Sequence, residues 1–191
     1  MIIGLGHKAR VGKDETGKYL QRYYHFTQAA FADKLKHAAM EIFDLTYDQV
    51  YGDNKEDIDP RWNDTPRHML QTTGTAMRNH YGKDVWIRAL ERRLQREGMD
   101  NDWCITDVRL PNEAEAVKRW GGYLVKVERP NAPKIATDKH ESETLLDDFT
   151  GWDYILNNSS DLVQLYANIE VMLGRFAQLH ATALAVPCKI S

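Results

Sequence analysis

Three observations predict an α/β fold with a five-stranded, mainly parallel sheet flanked by helices. Five short runs of aliphatic and aromatic residues, Met1–Leu5, Phe26–Ala32, Trp103–Val108, Tyr123–Val127 and Tyr154–Leu156, are spread along the 191 residues. Segments of helical periodicity fill most of the gaps between them, the alternation from which βαβ units are built. The first run is apolar throughout apart from one glycine, as a strand covered on both faces requires. Sheets of this kind take ligands beyond the carboxyl ends of their strands. Weight therefore falls on His7–Asp14, Asp33–Lys36, Asp107–Arg109, Glu128–Pro130 and Asn157–Ser160.

The chain length suits one domain (1–191) with a sizeable core and room for a small inserted lobe. A hydrophobic share of 42% and a charged share of 28% describe a globular protein. The net charge of −3 lacks the basic surplus that a nucleic-acid polymer demands. A free nucleotide remains compatible, since it needs only a local basic pocket. The two cysteines form no disulfide framework, which predicts a reducing cytoplasm. No apolar run approaches membrane-spanning length, and the N-terminus reads as a strand rather than a signal peptide. A homodimer is compatible with these bounds.

The first strand runs into a glycine-rich basic turn, and Asp14–Tyr24 reads as a helix. Strand, Gly-Lys turn and helix together are the setting of a phosphate-binding loop, whose backbone N–H groups converge at the positive end of the helix. Gly12 lets the backbone approach a ligand, and Lys13 supplies a point charge for the outer phosphates. Lys8, Arg10 and Lys13 would repel one another in so short a turn unless an anion joined them. The pattern G-x-x-x-x-G-K-[ST] is incomplete: His7 stands at the first glycine and Asp14 at the hydroxyl position. The plain alternative is a strand–turn–helix corner.

After the second strand, Asp33 is expected to cap a helix with Leu35, Ala38, Ala39, Ile42 and Phe43 inward. The alternative places Asp33 or Lys36 at the mouth of the site. Residues 47–61, with the acidic run Asp53–Asp59, are expected to be an irregular, solvated excursion or a flap over substrate. Thr65-Pro66 starts a helix. Its inward face holds Met69, Leu70, Thr73, Met77 and Tyr81. Arg67, Gln71, Gly74 and Arg78 share a second face, and two guanidinium forks beside a glycine suit a phosphate or a base edge. Asp84 is expected to cap the next helix, with Trp86 in the core or walling a base pocket. Its arginines, Arg88, Arg92, Arg93 and Arg96, read as a solvated face.

The third strand ends in Asp107 and Arg109, two residues apart and so on one face. A carboxylate there is placed to hold Mg²⁺ or its waters, unless the two only close the strand end as an ion pair. Pro111, with Glu113 and Glu115 in the first turn and Gly121-Gly122 beyond, delimits a short helix. Arg129 follows the fourth strand. The basic loop after it, with Lys134, Lys139 and His140, suits a lid that excludes water. Asn157 and Asn158 end the fifth strand as a turn or as readers of a base edge. Ser160 is expected to cap a last helix striped with Leu162, Leu165, Tyr166, Ile169, Met172 and Phe176. Residues beyond Gln178 read as a weakly held tail.

Taken in order, several segments resemble the P-loop deoxynucleoside monophosphate kinases of the bacteriophage type. They are Gly-Lys-Asp at 12–14, Phe-Ala-Asp-Lys-Leu-Lys at 31–36, Thr-Pro-Arg-His-Met-Leu-Gln-Thr-Thr-Gly-Thr at 65–75 and, most strongly, Ile-Thr-Asp-Val-Arg-Leu-Pro-Asn-Glu-Ala-Glu-Ala at 105–116. Val-Glu-Arg-Pro at 127–130, His-Glu-Ser-Glu at 140–143 and Asn-Asn-Ser at 157–159 complete the set. The resemblance implies a nucleoside-monophosphate-kinase-like fold with a substrate-binding helical lobe at about 33–98 and a short lid at about 129–145. It implies ATP and Mg²⁺ as cofactors and a deoxynucleoside monophosphate as phosphoryl acceptor. Two residues depart from the family pattern: His7, where glycine is usual, and Glu15, where threonine commonly follows the Asp.

Phosphoryl transfer to an anionic phosphate oxygen asks for positioning and charge neutralisation rather than a strong general base. On this reading Lys8, Arg10, Gly12, Lys13, Asn157 and Asn158 bind ATP. Lys13, Asp14, Arg109 and Arg129 are catalytic, with Asp14 and Asp107 on Mg²⁺, through water. Asp33, Lys36, Arg67, Gln71, Arg78, Trp86 and Asp107 bind the monophosphate. Two alternatives compete: a P-loop kinase for another small molecule such as a dephospho-cofactor, and a nucleotide-binding module without turnover.

Overall fold

Five strands form one sheet in the order β2-β3-β1-β4-β5. They are β1 (Ile2–Gly6), β2 (Thr27–Ala29), β3 (Trp103–Val108), β4 (Tyr123–Glu128) and β5 (Tyr154–Asn157). The helices are α1 (Lys13–Tyr24), α2 (Asp33–Phe43), α3 (Tyr47–Tyr51), α4 (Pro66–Tyr81), α5 (Val85–Glu97), α6 (Pro111–Arg119) and α7 (Leu162–Ala185). The structure is a computed structural model that describes residues 1–130 and 144–185, the last four by backbone alone. The chain divides into two compact units. The first joins Met1–Gln28 to the chain from Asp100 onward, and the second is Ala29–Met99.

In the first unit β1 pairs in parallel with β3 and β4, and β4 with β5, in registers that set Ile3 beside Cys104, Gly4 beside Leu124 and Val127 beside Leu156. All five residues of β1 are buried, so this strand is apolar without alternation. Ile3 and Leu5 join Leu20 of α1 and Leu165, Ile169, Met172 and Phe176 of α7 in one core, where Cys104 is also enclosed. Gly4 has the opposite parity. A Cβ there would lie 3.1 Å from methyls of Val108 and Val117, so the missing side chain lets α6 settle against the sheet. The carboxyl ends of β1, β3, β4 and β5 thereby share one rim.

The second unit is helical. Ala39, Leu45, Val50 and Met69 form one cluster, and Trp86, Ile87, Leu90 and Leu94 bury the inner face of α5. Thr65 caps α4 as expected: its hydroxyl accepts the His68 N–H at 3.2 Å, with Pro66 opening the helix.

Several expectations are corrected. The second strand spans three residues rather than Phe26–Ala32. Its end turns because the Asp33 carboxylate accepts the Ala30 N–H at 2.9 Å, so Asp33 lies inside α2 and Ala32 takes the cap position. Residues 47–61 are largely exposed, as expected, but only partly irregular. Thr46 and Gln49 exchange a capping box that starts α3, and a 3-10 turn follows at Asn54–Glu56. Asp59, expected in solvent, is 3% exposed. Tyr81 is exposed rather than inward, and so is Leu162 at the start of α7. Asp84 takes the cap position of α5 without a side-chain capping bond. Asp161, not Ser160, caps α7 by accepting the Gln164 N–H at 2.9 Å. The helix then continues past Gln178 to Ala185.

Candidate active site

The loop between β1 and α1 turns on three left-handed residues, His7 at φ 85°, Arg10 at φ 59° and Gly12 at φ 107°. Left-handed residues set among right-handed ones point successive N–H groups into one concavity, the arrangement that receives phosphate oxygens. His7 and Arg10 carry a Cβ into a region that glycine enters freely, which is why a glycine is the natural occupant of position 7. Gly12 is constrained twice. Besides its φ, a Cβ there would stand 2.4 Å from the Asn158 side-chain nitrogen. That amide is buried and donates to the Val11 carbonyl at 2.9 Å. Asn158, expected to read a base edge, is thus a strut of the loop. Asn157 remains exposed at the end of β5, its carbonyl accepting from Asn168 at 2.9 Å.

Among the described residues Lys13 is the buried cation of this unit, 7% exposed. Its ammonium donates to the His7 carbonyl at 3.0 Å and also to the Lys8 carbonyl. Burial, then the charge of Arg109, lowers its pKa to about 7, against the pull of Asp14 and Asp107. Three of the other groups expected to do chemistry or hold the metal in this unit, Arg109, Asp14 and Asp107, therefore act electrostatically on Lys13. Arg109 owes its backbone position to Glu113, a buried carboxylate that accepts the N–H groups of Arg109 at 2.9 Å and Leu110 at 3.1 Å. The Leu-Pro-x-Glu spacing at 110–113 carried that signal, a glutamate three residues into a proline-started helix.

Sequence reasoning overlooked Asp147. Its carboxylate lies 3.3 Å from the Lys8 ammonium and 3.5 Å from the His7 ring. The His7 pKa is lowered by burial, then by Lys126 and Lys8, which favours the neutral ring and leaves Lys8 as the stronger of these two partners of Asp147. Lys8 and Arg10 are exposed, as is Arg129 beyond β4. Trp152, also overlooked, covers Gly6 so closely that a Cβ there would fall 2.5 Å from the indole. The basic lid residues Lys134, Lys139 and His140 lie outside the described residues.

In the second unit Arg67, Gln71 and Arg78 share the half-buried side of α4, with Arg67 paired to Glu56. Gly74 does not leave room for a ligand beside them. It admits Leu35 of α2, whose methyl would stand 2.9 Å from a Cβ. The Trp86 indole N–H bonds the Gly74 carbonyl at 3.3 Å, which makes Trp86 a core residue. Asp33 is held at 2.9 Å by Arg93, so Arg93 is not on a solvated face. Lys36 lies 4.6 Å over the Tyr51 ring. No group of three or more His, Cys, Asp or Glu side chains able to hold a metal occurs among the described residues. Mg²⁺ in kinases takes one or two carboxylates, with water and phosphate completing its shell, and the pair Asp14 and Asp107 fits that demand.

A parallel sheet whose first strand leads through a Gly-Lys nest into a helix defines the P-loop kinase class. Comparison with known proteins is more specific. Residues 53–169 match the model of the family described as deoxynucleotide monophosphate kinase. A protein of Acanthamoeba polyphaga mimivirus described as a putative deoxynucleotide monophosphate kinase is 32% identical over 94% of this chain and 100% of its own length. Among solved structures, TT1252 from Thermus thermophilus is similar at 15% identity and a TM-score of 0.53, over 92% of this chain and 97% of that one. Shikimate kinase from Bacteroides thetaiotaomicron is similar at 15% identity and a TM-score of 0.48, over 93% and 98%. The chain belongs to the deoxynucleotide monophosphate kinase family. It is a phosphotransferase that phosphorylates deoxynucleoside 5′-monophosphates. No helix among the described residues is long and apolar enough to cross a membrane.

Proposed function

We propose that ATP is the phosphoryl donor and that the loop at 7–13 holds its phosphates. The observation that carries this reading is the buried Lys13, whose charge is opposed by its surroundings and balanced by no directly bonded carboxylate among its described contacts. An arriving polyphosphate offsets the cost of burying that ammonium, so part of the site's electrostatic work is done before substrate binds. The amides of Gly12 and its neighbours face the β-phosphate, and Lys13 bridges β and γ. Lys8 and Arg10 add charge at the rim, with Lys8 exchanging Asp147 for phosphate. Asn158 supports the loop from behind, and Asn157 stands beside the base.

Asp14 and Asp107 would hold Mg²⁺ through water, and when bound the ion neutralises charge on the phosphates being separated. Arg109 and Arg129 neutralise the migrating phosphoryl group. Glu113 positions Arg109 by fixing its N–H. In the second unit, Arg67, Gln71 and Arg78 bind the monophosphate and its base, with Lys36 assisting. Asp33 and Trp86 are given structural roles, because Arg93 and the Gly74 carbonyl already take their polar atoms.

The test is a coupled ADP-release assay with ATP across the deoxynucleoside monophosphates. Turnover is expected with at least one of them and is lost in Lys13→Ala. Arg78→Ala is expected to raise KM for the monophosphate about ten-fold or more while KM for ATP changes little. Full turnover in Lys13→Ala, or an Arg78→Ala effect confined to ATP, would overturn the assignment.

A further inference from the structure

Glu15 is an anion in the first turn of the helix whose positive end faces the phosphate loop. A carboxylate there is drawn to the same amides as a bound phosphate and repels it. The structure turns that carboxylate elsewhere. It accepts a hydrogen bond of 2.6 Å from the Tyr166 hydroxyl on α7. Tyr166 is itself held by stacking on Tyr19 of α1, with ring centroids 4.4 Å apart and planes 27° apart. A second clasp of reversed polarity lies farther along the same helix pair. Glu170 of α7 accepts from Tyr19 at 2.5 Å and from Tyr24. The two helices are therefore joined by a clasp beside the loop and another remote from it. Only the first restrains a charge in the helix turn next to the phosphate loop.

We propose that Tyr166 is a positioning residue for ATP, holding the Glu15 carboxylate against α7 and off the phosphate chain. The inference rests on the reading that the 7–13 loop takes the phosphates of ATP. It accounts for a glutamate being tolerated at a position where an uncharged residue would be safer: the phenol keeps the carboxylate away from the phosphates. Without the hydroxyl, the freed carboxylate samples rotamers closer to the loop, and the cost appears in ATP binding.

The experiment measures KM for ATP, KM for the monophosphate and kcat in wild type, Tyr166→Phe, Glu15→Gln, Glu15→Asp and the double variant Glu15→Gln/Tyr166→Phe, with Lys13→Ala alongside. Tyr166→Phe keeps the ring stack and is expected to raise KM for ATP about five-fold, the scale of one unit charge approaching another in a partly hydrated site. Glu15→Asp keeps the charge but shortens its reach to the phenol, and raises KM for ATP in the same direction. It carries the test if the phenylalanine variant does not fold. The double variant returns to the value of Glu15→Gln alone. The penalty in Tyr166→Phe shrinks as ionic strength rises. An unchanged KM for ATP in both Tyr166→Phe and Glu15→Asp overturns the inference and leaves the loop reading standing. So does a rise that persists in the double variant, since that is a packing effect. Full activity in Lys13→Ala would remove the loop reading and this inference with it.

Discussion

Two deeply buried charges, one taken from each unit, are treated in opposite ways. Lys13 in the phosphate loop meets two backbone carbonyls and the repulsion of Arg109, and its pKa falls to about 7. Asp59 in the helical unit is ringed by donors: the Arg61 guanidinium at 2.7 and 3.0 Å, the Arg61 N–H at 3.0 Å and the Gln49 amide at 2.9 Å. These bonds, Arg61 first, hold its carboxyl well below the usual carboxylate range. A buried charge with every bond made is a strut, because nothing is gained by bringing it a partner. A buried charge that its surroundings oppose is a reserve, relieved when the missing counter-charge arrives. Burial alone does not separate the two cases, and the sign of the environment does.

The comparison is broken most directly at Lys13. Lys13→Met is expected to lower turnover on the order of 10³-fold or more, the scale of losing a group that neutralises transferred phosphoryl charge. It is also expected to stabilise the nucleotide-free protein by about 1 kcal/mol, since an ammonium opposed by burial is replaced by an apolar chain. Steady-state kinetics and thermal melting check the two halves, and a Lys13→Met protein that melts lower than wild type would remove the idea of a reserve. Next in size is Gly12→Ala. Its Cβ meets the Asn158 amide and its φ is unfavourable, so kcat/KM for ATP should fall about 10²-fold through displacement of the loop.

The pH dependences sharpen the contrast because their signs differ. Lys13 binds a proton up to about pH 7 when folded and up to 10.5 when unfolded. Between those values the unfolded chain holds more protons, so this group's contribution to stability rises with pH, and below about pH 7 the fold bears the whole cost. Melting scans from pH 7 to 9 should show that slope in wild type and lose it in Lys13→Met. Over the same range KM for ATP should rise, approaching ten-fold per unit above pH 7, as the ammonium deprotonates in the free enzyme. Asp59 behaves conversely. Its folded pKa is depressed, so its contribution is present above the unfolded value of 3.8 and is lost as pH falls through the lower folded one. The smallest kinetic effect is expected at Asp59→Asn: a melting temperature several degrees lower, with kcat within about two-fold of wild type.

Local features were legible where the signal lies between near neighbours. Val108 ends β3 and Pro111 opens α6 where the residues require it, and the Thr65-Pro66 start of α4 follows from one hydroxyl and one missing N–H. Thr46-x-x-Gln49 is an equally local capping box. The acidic composition of the surrounding stretch concealed it, because polarity is a poor guide where a side chain satisfies the backbone. Gly12-Lys13 after an apolar strand announced the phosphate loop for the same reason: glycine freedom and charge are properties of single residues.

What the chain by itself determined is the α/β alternation, the loop and the cations around it, since each rests on residues a few positions apart. Tertiary structure decided which of those groups are reserves and which are struts. Asn158 props the loop across 147 residues of sequence, Tyr166 reaches Glu15 across 151, and Asp33 is committed to Arg93 across 60. Hydrogen bonds and the desolvation of charge act through space. A side chain's availability for chemistry is therefore fixed by neighbours that sequence spacing does not reveal.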